Sequence, residues 1–175
     1  MKNTMKNARK NTMKKVIVSL IVSISSIGAW ATPGAVVDVE LSPAGSFKAK
    51  TGEVKGEALM TGDTIAASNI IVSLKNLKTG IEMRDKHATT KYLEVEKYPD
   101  AVLVSATGKG GKGRGKLKIR GIEKDVEGIY TVEGNELIAS FPIKLSDYGI
   151  TGVKYMGVGV NNQVNLNVTV PLKKK

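Results

Sequence analysis

Residues 163–172 read QVNLNVTVPL. Val164, Leu166, Val168 and Val170 fall on one face of an extended chain, and Asn165, Asn167 and Thr169 fall on the other. Successive side chains of a strand point to opposite sides, so a period of two marks a half-buried β-strand. The same alternation recurs upstream. VVDVEL sets Val37, Val39 and Leu41 against Asp38 and Glu40, and SFKAKT sets Phe47, Ala49 and Thr51 against Lys48 and Lys50. NIIVSLKNL alternates through Ile70, Val72 and Leu74, GKLKIRG through Leu117 and Ile119, and NELIASFPIKL through Phe141, Ile143 and Leu145. DAVLVSAT, with Leu103, and DVEGIYTV are two further apolar runs. Turn residues separate the runs, in PAG, TGD, GKGGKG, VEGNE and GVNN. One polar and one apolar face means antiparallel pairing around a shared core. About eight short strands at this spacing predict an all-β sandwich or closed barrel. Closure removes exposed edges, and a barrel of about eight strands is either filled by side chains or holds one small ligand.

One stretch breaks the pattern. Residues 81–98, IEMRDKHATTKYLEVEKY, show no alternation. They predict a short helix near Glu82–Lys91, inserted midway, followed by an irregular bend. Tyr98 precedes Pro99 and is expected to be extended. The segment holds the only histidine, His87, beside Arg84 and Asp85. A zinc site wants three or four His or Cys ligands, and the chain has no Cys and no second His. A hydrolase needs a nucleophile with a base in reach, and no G-x-S-x-G turn is present. We therefore assign no catalytic residue, no metal and no cofactor. Arg84 and Asp85 are read as pairing or capping the helix, with His87 packed at one end of the barrel. The rival reading places them, with Tyr98, against a ligand head group.

The N-terminus has a different composition. MKNTMKNARKNTMKK carries six basic residues and no acid. The apolar run VIVSLIVSISSI follows, and then small residues at Ala29 and Ala31. That order is a secretory signal peptide. Cleavage after Ala31 is expected, giving a domain of residues 32–175 that is periplasmic or secreted. Met13 opens a normal signal by itself and is a second candidate start. The formal charge of +11 includes the six leader charges, which leaves 21 basic against 16 acidic residues, or +5, on the domain. Such a balance permits transient contact with an anionic membrane surface. Nucleic acid is not implied, because KGGKGRGKLKIR has no aromatic side chains for base stacking.

Several motifs, in order, resemble the YceI-like family of polyisoprenoid-binding, lipocalin-like proteins. TGIEMRDKH is similar to its R-D-x-H stretch, and LEVEKYPDAVL to its Tyr-Pro segment before a strand. GKLKIRGIEKDV is similar to its G-x-L-x-I-x-G strand pair, and IKLSDYGI and the final QVNLNVTV complete the set. Tyr148 stands where the family usually has Phe, and Asp125 where it usually has Pro. The resemblance implies an antiparallel, lipocalin-like barrel of about eight strands whose apolar interior takes a long lipid tail, with no enzymatic mechanism. On that reading the lining comes from Ile70, Val72, Leu74, Leu103, Leu117, Ile119, Phe141, Ile143, Leu166 and Val168. The implied partner is an isoprenoid, a quinone-like molecule or another long-chain lipid, held for storage or transport. The alternative is a structural, interaction or stress-related periplasmic module whose barrel is filled. An exposed first strand could also pair with a second copy.

Overall fold

The computed structural model describes residues 32–175; the expected export segment lies outside them. Twelve strand segments follow one another: β1 (Gly34–Ser42), β2 (Ser46–Thr51), β3 (Val54–Lys55), β4 (Ala58–Thr61), β5 (Thr64–Ser73), β6 (Asp100–Lys109), β7 (Lys112–Ile119), β8 (Ile122–Glu133), β9 (Glu136–Lys144), β10 (Lys154–Tyr155), β11 (Val158–Val160) and β12 (Gln163–Lys174). Between β5 and β6 the chain forms helix α1 (Glu82–His87), continued by one π-helical turn over Ala88–Tyr92.

The strand pairing closes a ring. Strands β4 to β9 pair in sequence order, and β12 joins its two ends. It pairs antiparallel with β9 from Gln163 to Pro171 and parallel with β4 at Leu172–Lys174. Seven strands therefore close the barrel, and no long edge of these is left to aggregate. The β1–β2 hairpin widens the wall: β1 runs beside β12, with Gly34–Asp38 opposite Asn165–Thr169, and β2 lies outside β1. The remaining gap between β2 and β5 is stitched by backbone bonds from Ser73 N–H to Glu53 O and between Lys50 and Lys78.

The alternation seen in the sequence sets which residues face in. Val164, Val170, Leu117, Ile119, Phe141 and Ile143 are all buried. Each such side chain contributes roughly 1.5–3 kcal/mol when fully removed from water. The polar face of β12 is tied to its neighbours on the outside, with Asn165 donating to Ser140 at 2.9 Å and Asn167 donating to Asp38 at 2.7 Å. Two features interrupt simple alternation. β6 carries a bulge between Leu103 and Ser105, so its inward positions shift from Leu103 to Ala106. The β7–β8 turn is two residues long, Arg120 and Gly121, both at positive φ (50° and 76°), the backbone that a tight antiparallel hairpin requires.

The buried residues form two clusters. One includes Val39, Leu74, Val95, Leu117, Phe141, Tyr148 and Val164, at the end that carries the helix. The other packs Ala58, Ile65, Ile70, Leu137, Val170 and Leu172 near the far end. The predicted helix is there, but it is shorter and less regular than 82–91 suggested: six α-helical residues pass into a wider turn, with Leu93 N–H bonded to Ala88 O. Neither piece contains a fully buried residue.

Candidate functional site

Between the two clusters the barrel keeps a cavity of about 260 Å³. That is near the lower end of ligand sites, which run from about 300 to 1,000 Å³. All ten residues expected to line the interior stand on its wall, Ile70 through Val168, contributed by β5, β6, β7, β9 and β12 and by Leu74 just past β5. The hairpin adds Val37, Val39, Phe47 and Ala49. The helix end adds Ala88, Tyr92, Leu93, Ile150 and Val153. On β6, β7 and β8 several inward positions carry almost no side chain: Ala106, Gly108, Gly113, Gly115 and Gly128. Tyr130 covers part of this bare wall so closely that a Cβ on Gly108 would sit 2.5 Å from its ring. A wall of this kind can hold an apolar chain by contact alone. It presents few groups for hydrogen bonding, and the two buried polar residues on it, Thr51 and Thr79, are engaged within the protein.

The charged residues of 81–98 do not line this cavity. Asp85 accepts hydrogen bonds from the Thr79 backbone N–H (2.6 Å) and hydroxyl (2.5 Å), and Arg84 donates to the Thr79 carbonyl (2.6 Å). The Arg84 guanidinium also lies 3.8 Å from the centroid of the Phe47 ring, whose body faces the lumen. Burial alone would raise the Asp85 pKa, but the two Thr79 bonds and the charges of Lys78 and Arg84 hold it below the ordinary carboxylate range. His87 is exposed on the outer side of the helix. Tyr98 lies over the Gly121 backbone, with the Lys97 ammonium 5.1 Å from its ring. Arg84 and Asp85 are thus brought together on Thr79, while Tyr98 lies against the β7–β8 turn.

Two further clasps hold the same segment. The Tyr92 hydroxyl donates to Lys154 O (3.1 Å) and accepts from Lys154 N–H (3.0 Å), while the Tyr92 ring faces the cavity. Arg120 donates to Glu94 (2.7 Å) and to the Gly149 carbonyl (2.7 Å), and its hydrogen bond draws the Glu94 pKa down. Residues 81–98 therefore form a lid with an apolar underside, fastened at its rim by polar contacts. Among the described residues, no group of three or more His, Cys, Asp and Glu is placed to hold a metal ion.

The sequence model of the YceI-like domain matches residues 29–172, most of the chain. The chain belongs to the YceI-like family. Comparison with curated proteins gives no match. Among solved structures, the YceI-like barrel is similar to that of BcnA from Burkholderia cenocepacia, at 15% identity and a TM-score of 0.57, covering 77% of this chain and 94% of that one. It is also similar to a polyisoprenoid binding domain from Saccharophagus degradans implicated in plant cell wall breakdown, at 12% identity and a TM-score of 0.57, covering 79% and 92% of the two chains. At such identities the likeness is one of fold.

Some wall residues of this YceI-like barrel went unassigned in the sequence reading. Tyr130 alternates with Val126 and Gly128 in DVEGIYTV, so its inward position was available from period two. Gly113 and Gly115 alternate with Arg114 and Lys116 in the same way, although the Gly-rich composition reads as a turn. Ala88 and Tyr92 lie four residues apart, the spacing of one helix face. Val153 and Ile150 come from irregular chain and carry no periodic signal.

Proposed function

We propose that this barrel binds the tail of a polyisoprenoid or a similar long amphipathic lipid, quinone-like lipids included, and stores or carries it without chemical change. The observation that carries this reading is the cavity itself: about 260 Å³, walled by aliphatic and aromatic side chains from the closed ring, the hairpin and the lid. Family membership and the fold likeness to a domain described as polyisoprenoid binding support it. A barrel stabilised only by its core has no need to leave such a space, since interiors ordinarily pack with few voids larger than a water molecule. The basic, apolar and A-x-A order of residues 1–31 supports an exported protein acting in the periplasm or outside the cell.

The binding energy in this proposal comes from apolar burial, about 0.8 kcal/mol per CH₂, less the cost of ordering the tail. Calorimetric titration with isoprenols of increasing length tests it. Affinity should rise with each added isoprene unit until the cavity is full and then level off. The heat-capacity change should be negative, and added salt should have little effect. Absence of saturable binding across the series would overturn the proposal.

A further inference from the structure

We propose that the lid end of the barrel is a docking face for a phospholipid bilayer, and that lipid passes between membrane and cavity there. This rests on the lipid-binding reading above and adds where the ligand enters and what the protein rests on as it does.

The two ends of the barrel differ. At the far end Ala58, Leu172, Met60 and Val132 pack beyond the cavity, and Ala58 is wholly inaccessible to solvent. The lid end is covered by residues 81–98, whose helical part has no fully buried side chain, whose apolar anchor is Val95 in the core cluster, and whose polar attachments are the Thr79, Lys154 and Arg120 clasps. The Tyr92–Lys154 contact is exposed and exposed polar contacts are individually weak, and segments held by few buried contacts open most readily.

Exposed apolar residues gather at this end. Five large hydrophobic side chains are exposed among the described residues, and four of them are here. Ile81 and Met83 open the helix, Ile122 follows the turn that Arg120 clasps, and Met156 tips the β10–β11 hairpin to which Tyr92 is bound. Met83 and Met156 are 60% and 83% exposed. The cations Lys86, Lys91, Lys97 and Lys154 are exposed among them, against the exposed acids Glu82, Glu96 and Asp147, while Asp85 and Glu94 are held in the clasps. Apolar tips ringed by lysines fit the interfacial region of a bilayer, where the tips enter the acyl boundary and ammonium groups meet phosphates. A bilayer is also where a long-tailed lipid resides, and this face is continuous with the lid over the cavity.

Flotation of the domain with vesicles of phosphatidylglycerol and phosphatidylethanolamine tests the inference. The wild type should float. The combined variant Ile81→Ser, Met83→Ser, Met156→Ser should keep its melting temperature and its isoprenol affinity, since none of the three lines the cavity, and should lose about tenfold in vesicle affinity. Ile129→Ser, which alters the exposed apolar residue away from this end, one that borders the cavity on β8, should float as the wild type does. A wild type that binds isoprenol but does not float, or a triple variant that floats undiminished, would overturn the docking face and leave the binding proposal standing. A protein that floats through these three residues but takes up no isoprenol would uphold the face and remove the binding proposal.

Discussion

Tyr148 gives a quantitative test of the packing under the lid. Its side chain is 1% exposed within the main core cluster, yet its hydroxyl finds no hydrogen-bond partner among the described residues. A buried polar group left unsatisfied costs about 1–3 kcal/mol. Tyr148→Phe keeps the ring and removes only the oxygen, so the variant should be more stable by about 1 kcal/mol, raising the thermal midpoint by roughly 2–4 °C. Burial, and then the charge of Asp147, pushes the Tyr148 pKa up to about 12. The folded protein therefore holds this proton to a higher pH than the unfolded chain does, where tyrosine titrates near about 10. Stability from this group is complete below about pH 10 and falls away as pH rises towards 12. Urea unfolding at a series of pH values should show the wild type losing stability over that window more steeply than Tyr148→Phe. If the Phe variant is instead destabilised by about 1 kcal/mol or more, the hydroxyl makes a bond that this account lacks and the reasoning fails.

Two other substitutions probe the cavity and its lid. Leu166→Trp projects a larger ring into the lumen from β12; the variant should stay folded within about 1 kcal/mol and lose isoprenol binding, whereas a cost of about 1–3 kcal/mol would indicate an interior already full. Asp85→Ala removes both Thr79 bonds from a carboxylate whose side chain is 13% exposed, and should lower stability by about 1–3 kcal/mol in denaturant titration with tail binding retained. Because the folded Asp85 pKa lies below its ordinary value, the stability it supplies is present above the unfolded pKa and is lost as pH falls through the folded one. The variant should therefore show a shallower acid limb than the wild type, and an unchanged limb would refute the clasp.

Much of the barrel could be read from the chain because period two reports directly on which side chains face inward. Val164, Leu166, Val168 and Val170 all reach the cavity, as the alternation of 163–172 requires. The lower half of β5, Thr64–Ser68, was missed: TIAAS is rich in small residues, and Asn69 at φ 53° separates it from the strong run Ile70–Val72. Closure by β12 against β4 is a contact between residues more than a hundred apart, and no local pattern encodes it. The lid was legible as an interruption but not as a set of clasps. Tyr92–Lys154 and Arg120–Glu94 join segments brought together only by the fold, whereas Asp85–Thr79 lies within one local stretch.

Native mass spectrometry of the domain isolated from its own cells, before and after organic extraction, tests the central claim most directly. The account predicts protein carrying one lipid whose mass is that of a long apolar tail with a small head group, and bare protein after extraction. Bare protein in both samples, together with no uptake of added isoprenol, would contradict it.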